Sequence, residues 1–301
     1  MKIVAAGASG FLGEPLVERL LARGHDVIVL SRNPAKVRHG RGMQWDAKTA
    51  SGLWTDEAAS ADVIINLAGE NVGGGRWTEA RKKRMVASRV DSTRALVTAM
   101  QRNPAKRRTF ISASAVGYYG FSRGDELFDE SGSKGSGFLA GLVEEWEAAA
   151  RAAESLSRLV VLRLGVVLDR QGGALAKMLL PFKLGGGGPI GSGTQWMSWI
   201  DRDDALRAIE WAVNTETARG VYNITAPEPV QNRDFARTLG RTLRRPAFMP
   251  APAFALRAVF GEMASEVLLG GQRAVPRRAQ AEGFVFEYPS LERSLRHLFR
   301  R

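Results

Sequence analysis

The sequence predicts an α/β protein built on a doubly wound parallel sheet, with a smaller C-terminal lobe. Three observations point there. Up to Gly165, short apolar runs alternate with helix-period segments. A glycine triplet, Gly7-Ala8-Ser9-Gly10-Phe11-Leu12-Gly13, joins the first apolar run to the first helical segment. After Gly165 the texture shifts to a glycine-rich stretch, Lys183–Thr194, and then to recurring prolines at 246, 250 and 252.

In chain order, Lys2–Ala6 reads as a buried parallel strand. Phe11–Arg23 reads as a helix, with Leu12, Leu16, Val17, Leu20 and Leu21 at helical spacing and Gly24 as its stop. Asp26–Leu30 and Ala61–Leu67 are strands, Glu79–Arg102 is a long polar helix, and Arg108–Ala113 is a strand. Phe138–Ser155 is a helix and Leu159–Leu164 a strand. Beyond the glycine-rich loop, Asp203–Asn214 and Asn232–Leu243 are helical and Val221–Ile224 is a strand. Helices are expected around Phe254–Leu269 and Leu291–Phe299, and the proline-punctuated tail argues against further parallel sheet.

Composition narrows the function classes. The 301 residues are 45% apolar and 25% charged, an ordinary globular balance. Cysteine is absent, which excludes disulfides, thiolate metal sites and a cysteine nucleophile. His25, His39 and His297 lie far apart in sequence, so no metal site is expected. No apolar run approaches the roughly 18 residues of a membrane helix, so no membrane partner is expected. The N-terminal segment reaches Gly7 without an apolar leader core, which fits a cytoplasmic protein. The formal charge is +12, from 43 Lys and Arg against 31 Asp and Glu. That charge is dispersed rather than striped, which argues against nucleic acid as the partner.

The glycine triplet carries the most chemistry. Gly7 permits the tight turn, Gly10 lets backbone N–H groups approach a pyrophosphate, and Gly13 lets helix and strand pack closely. The backbone of Gly7, Ser9, Gly10, Phe11 and Leu12 is therefore expected to hold a dinucleotide. An NAD site usually carries a carboxylate at the end of the second strand, for the ribose 2′-hydroxyl. This chain has Ser31-Arg32-Asn33, and a guanidinium suits a 2′-phosphate. NADP is expected over NAD, with Ser31 and Arg32 at the phosphate. The adenine side is expected to reach Asp46. The pattern sets a dinucleotide-binding domain at 1–168, completed by 201–226, and a C-terminal lobe at 169–301 containing the loop 183–200.

These motifs resemble those of the extended short-chain dehydrogenases/reductases. The resemblance rests on the triplet, Asn66-Leu67-Ala68-Gly69, Ser112-Ala113-Ser114-Ala115-Val116-Gly117-Tyr118-Tyr119-Gly120, Leu162-Arg163-Leu164-Gly165 and Trp199-Ile200-Asp201-Arg202-Asp203-Asp204. More narrowly the chain is similar to the atypical nucleoside-diphosphate-sugar-epimerase-like subgroup, whose C-terminal domain has no assigned function. Its marks here are Arg76-Trp77-Thr78, Ser88-Arg89-Val90, Trp146-Glu147, Pro189-Ile190-Gly191-Ser192-Gly193 and Gly270-Gly271-Gln272-Arg273-Ala274-Val275-Pro276. The resemblance implies a Rossmann domain with a small lobe closing over the substrate. It implies that Leu67, Ala68, Gly69 and Ser112 line the cofactor, and that Leu164–Val167 reaches the nicotinamide. It also implies a possible homodimer through Glu79–Arg102 and Phe138–Ser155.

The family's Ser/Thr is matched by Ser114. Its Tyr and Lys fall on Phe138 and Leu142, which have neither proton nor charge to offer. Two readings follow. In one, Tyr118 or Tyr119 supplies the acid/base, with Glu70, Glu144 or Lys177 as helpers, and the protein is an NADP-dependent oxidoreductase or epimerase of a small polar, sugar-like substrate. In the other, it binds NADP without turnover, as a sensor or scaffold. The substrate-side arginine of many sugar-nucleotide enzymes falls on Met197. Glu70, Gln195, Trp196 and Trp199 are then the expected substrate wall, with Arg76 or Arg273 as anion clamps.

Overall fold

The computed structural model describes residues 1–300. Its strands and helices are, in order, β1 (Lys2–Ala6), α1 (Gly13–Ala22), β2 (Asp26–Ser31), β3 (Arg41–Gln44), α2 (Trp54–Ser60), β4 (Val63–Asn66), α3 (Glu79–Gln101) and β5 (Thr109–Ala115). Then follow β6 (Ser122–Phe128), α4 (Phe138–Arg151), β7 (Arg158–Leu164), β8 (Val166–Asp169), α5 (Gly173–Lys183), β9 (Trp196–Met197), β10 (Trp199–Asp201) and α6 (Arg202–Asn214). The last are β11 (Gly220–Ile224), β12 (Val230–Gln231), α7 (Asn232–Leu243), α8 (Ala253–Phe260), β13 (Gly271–Ala274), α9 (Arg277–Ala281) and α10 (Leu291–Leu298).

Seven strands form one sheet in the order β11-β7-β5-β4-β1-β2-β3, every pair parallel. Strand order reverses between β1 and β4, which opens a crevice at their carboxyl ends. Strand periodicity divides the apolar residues between two cores. Ile3, Ala5, Val27, Val29, Val63 and Ile65 face one side, under Leu16 and Leu20 of α1 and Leu206 and Ile209 of α6. Val4, Ala6, Ile28, Leu30 and Ile64 face the other, under Trp54 of α2 and Leu96 and Met100 of α3. A third core joins Leu175, Leu179 and Phe182 of α5 to Phe235 and Leu239 of α7 and Leu291 and Leu295 of α10. Among the described residues no helix is long and apolar enough to cross a membrane.

Several sequence expectations need correction. The first helix starts at Gly13 rather than Phe11, because residues 7–12 turn around the glycines. The helix α5 fills the segment before the glycine-rich loop, with no comparable signal in the sequence beyond Leu175, Leu179 and Phe182. The tail does contribute a parallel strand, since β13 pairs with β6 in a separate two-stranded sheet. The helix expected over Phe254–Leu269 breaks at Gly261 (φ +60°) into α8 and a π-turn at Ala264–Leu268.

Candidate functional site

The site is built from the loops at the carboxyl ends of β1, β2, β4, β5 and β7. Gly7 adopts φ +71°, and a Cβ there would fall 2.6 Å from Ala68 N, so the loops after β1 and β4 meet only through glycine. A Cβ on Gly13 would fall 2.2 Å from Ala8 Cα, which is the close helix–strand approach expected of the third glycine. Gly10 N–H donates to Gly7 O at 3.2 Å and closes the turn. No side chain caps the start of α1; Glu14 N–H donates to Gly10 O at 3.0 Å and Pro15 has none, so the N–H groups at the positive end of the dipole are those of the turn into Gly13. Ser9 and Gly10 are exposed, and Phe11 and Leu12 half-buried. The Phe11 ring leans on the glycines before α5, where a Cβ on Gly172 would fall 2.6 Å from the ring.

At the end of β2, Ser31 Oγ accepts from Asn33 N–H at 3.1 Å. Arg32 is exposed and forms no ion pair among the described residues. A cavity of about 210 Å³ beside it is lined by Ser9, Glu14, Lys36, Arg38 and His39. Sequence reasoning missed Lys36 and Arg38, although their spacing just beyond Arg32 was there to read. Asp46 is otherwise occupied. Thr49 Oγ1 donates to it at 2.6 Å and the N–H groups of Lys48 and Thr49 at 2.9 Å each. Thr49 above all holds this carboxyl below its ordinary value.

After β4, buried Asn66 braces the loop. Its Nδ2 donates to Thr93 Oγ1 at 2.9 Å and its Oδ1 accepts from Ala68 N–H at 3.1 Å. Gly69 lies against the Arg89 guanidinium, which donates to Glu70 O at 2.9 Å and Met85 O at 3.1 Å. Burial pulls Arg89 down to about 10. Glu70, expected on the substrate wall, is partly exposed. Its carboxylate lies 3.4 Å from Arg84 and 3.7 Å from Arg81, both on α3.

Behind the crevice, β5, β7 and α4 share a buried polar network that sequence reasoning did not assemble. Ser112 is 1% exposed and its Oγ donates to Ala113 O at 3.1 Å. Ser114 Oγ donates to Glu147 Oε1 at 2.6 Å. Arg163 grips the same carboxylate with both arms, Nε to Oε1 at 2.7 Å and Nη2 to Oε2 at 2.8 Å. Burial pulls the Arg163 guanidinium down, but the Glu147 bonds and charge outweigh it and hold Arg163 above its ordinary value.

The two tyrosines separate here. Tyr119 is fully buried, and its hydroxyl lies 2.8 Å from Asn223 Oδ1, 2.9 Å from Asp129 O and 3.0 Å from Arg163 Nη1. Burial pushes it up to about 12. Tyr119, expected among the catalytic residues, is thus enclosed in the network with its hydroxyl bonded within the chain. Tyr118 is half-buried under the Arg163 guanidinium, 3.5 Å above its ring centroid. Among the described residues the Tyr118 hydroxyl makes no hydrogen bond within the chain.

Phe138 and Leu142 stand on α4, where the resemblance puts the Tyr and Lys. The Phe138 ring packs edge-on to Trp77 at 5.1 Å, and Leu142 is buried. The N-terminus of α4 is capped from the tail. Buried Glu266 accepts from Phe138 N–H at 2.7 Å and Leu139 N–H at 2.9 Å. Of the expected substrate wall, Trp199 is fully buried in the third core and its indole N–H donates to Glu228 O, so it lines no accessible surface. Gln195 Nε2 donates to Ile190 O and Leu268 O, and Trp196 Nε1 to Asp125 Oδ1 at 2.6 Å under Arg273. Gln195 thus ties the loop to the tail at Leu268, and Trp196 ties it to β6.

His297, expected to be isolated, joins Asp201 and Asp203 with ligand atoms within 4.8 Å of one another. Each already has partners, Ser294 on Asp201, Arg19 on Asp203 and Tyr288 on His297. The cluster fastens α10 to α6.

Comparison with known proteins completes the site's description. Residues 3–225 match the model of the NAD dependent epimerase/dehydratase family, and residues 251–298 match a domain of unknown function, DUF1731. The chain is 39% identical to the human epimerase family protein SDR39U1 over 300 residues, covering 99% of each chain. It is 39% identical to the epimerase family protein YfhF of Bacillus subtilis, covering 99% of this chain and 98% of that one. The crystal structure of human SDR39U1 (isoform 2) with NADPH superposes with a TM-score of 0.90, covering 99% of both chains. A nucleoside-diphosphate sugar epimerase of Corynebacterium glutamicum, 31% identical, superposes with a TM-score of 0.78, covering 98% of this chain and 57% of that one.

Proposed function

The chain belongs to the NAD dependent epimerase/dehydratase family, and from that premise we propose that it binds NADP(H) and reduces or epimerises a small polar substrate, sugars being one class. The residues fit the dinucleotide. Gly7 and Gly13 leave no room for a side chain beside the turn, and the uncapped start of α1 offers N–H groups to a pyrophosphate. No carboxylate closes β2, and Arg32 and Lys36, next to the Arg38–Glu14 pair, give the adenosine end cations suited to a 2′-phosphate. The bound coenzyme would supply or accept the hydride. NADPH in the human relative's structure supports the same preference.

One observation carries the catalytic reading. Of the two site tyrosines only Tyr118 leaves its hydroxyl without a partner in the chain, on the turn four residues beyond Ser114. Tyr118 would hold the proton exchanged with a substrate oxygen, in place of the Tyr that Phe138 lacks. Residues of the 169–301 lobe would close the site.

The second reading, NADP binding without turnover, is favoured by the Ser114–Glu147 bond, which takes the serine's proton away from any substrate oxygen. Calorimetry with NADPH and NADH, followed by a carbonyl and sugar-nucleotide panel, separates the two. Turnover that Tyr118→Phe abolishes while NADPH affinity holds establishes the enzyme. Tight NADPH binding with no turnover establishes the sensor. No heat with either coenzyme overturns both.

A further inference from the structure

Large apolar side chains that the fold leaves in water gather on one band of the surface. Leu180 and Leu184 lie at the end of α5, Phe248 and Met249 before α8, and Phe254 and Val259 on it. Leu184, Phe248 and Phe254 are 78%, 75% and 77% exposed. The segments that carry them are joined by backbone bonds. Met249 N–H donates to Gly187 O at 3.1 Å, Ala251 N–H to Pro189 O at 2.9 Å and Gly191 N–H to Ala251 O at 2.9 Å. These bonds stitch the loop after α5 to the segment that enters α8. No residue of α8 is fully buried: Phe260 packs beside Met263 and Arg76 donates to Ala258 O, while Phe254 and Val259 on its outer side face water.

Charge is distributed to match. Residues 170–200 contain no Asp or Glu, and neither do residues 235–261. Lys183, Arg244, Arg245 and Arg257 are exposed on these segments and enter no ion pair among the described residues. A second copy of the chain would bring these cations against themselves. A convex apolar helix with a basic rim is instead shaped to enter a soft, negatively charged medium.

We propose that the face formed by the end of α5, the 248–252 segment and α8 docks on the surface of an anionic lipid bilayer. The apolar side chains enter the acyl boundary, and Lys183, Arg244, Arg245 and Arg257 meet the headgroup phosphates. A run-length criterion for membrane segments does not register such a face, because two separate segments assemble it.

The test is cosedimentation of the full chain with phosphatidylcholine vesicles, with and without about one-third phosphatidylglycerol. The expected result is retention on the anionic vesicles, weakened about tenfold or more by omitting phosphatidylglycerol or by high salt. The double variant Leu184→Ser/Phe254→Ser should bind about tenfold more weakly with an unchanged melting temperature, both side chains being exposed. Arg244→Gln/Arg245→Gln should weaken binding without touching the apolar face. Failure to bind anionic vesicles, binding by either variant equal to that of the parent chain, or a solution dimer that the serine variant dissolves would each overturn the proposal.

Discussion

Ser114 gives its one hydroxyl proton to Glu147, 2.6 Å away, and the same carboxylate is gripped through both oxygens by Arg163. The hydroxyl that the resemblance offers to a substrate is thus the outer end of a buried ion pair. The pair also ties β5, β7 and α4 together.

Glu147→Gln removes the charge and leaves the 3%-exposed Arg163 without a counter-ion. Breaking a buried pair from one side costs about 3–5 kcal/mol. Urea unfolding should show a loss of that size, and a loss under about 1 kcal/mol would mean that water or the substituted amide oxygen satisfies Arg163.

Arg32→Ala tests coenzyme choice. A charge-assisted hydrogen bond contributes about 1.5–3 kcal/mol, so NADPH affinity should fall roughly tenfold to a hundredfold. NADH affinity should stay put. Equal losses for both coenzymes would remove Arg32 from the 2′-phosphate.

Gly13→Ala tests the helix–strand contact. The added methyl would meet Ala8 Cα at 2.2 Å, and only backbone movement can relieve that clash. Overpacking of this kind costs about 1–3 kcal/mol, and displacement of the turn should abolish measurable NADPH binding. Unchanged NADPH calorimetry would show that the loop tolerates the shift.

Glu266→Ala removes the cap that the tail supplies to α4. Loss of a cap costs about 0.5–2 kcal/mol. Hydrogen exchange should quicken selectively at Phe138 and Leu139, and uniform exchange across the chain would contradict a local role.

Asp201 supplies a pH signature. Burial pushes its carboxyl up to about 6 from an ordinary 3.8, against the Ser294 bond and the Asp203 N–H that lower it. The folded state therefore binds this proton more tightly than the unfolded chain does. Its contribution to stability is full below about pH 4 and fades as pH rises to about 6. The loss is on the order of 3 kcal/mol. Asp201→Asn should gain on the parent chain by about that amount between pH 4 and 6 in urea titrations. Parallel curves across that range would contradict the assignment.

The architecture was legible because its signals are local. Alternating Ile3, Val4 and Ala5 or Val27, Ile28 and Val29 mark strands buried on both faces, and the triplet from Gly7 to Gly13 marks a turn that sterics impose. The inner site was not legible, because its partners are distant in sequence. Nothing in Glu147 alone distinguishes it from Glu144 or Glu145, and only the docking of β7 beside β5 brings Arg163 to it. Adjacent Tyr118 and Tyr119 looked equivalent until the turn sent one ring inward. Trp199 read as a stacking surface because it lies in the bulky flank Gln195–Ile200 beside the glycine-rich loop, yet tertiary packing claims it for the third core.

Phe11 belongs to the coenzyme turn, but its ring rests on Gly172 and Gly173 at the root of α5. The ring fills the space that a side chain at 172 would need, so the coenzyme turn and the root of α5 are packed as one surface and a bulkier residue on either side would be felt by the other.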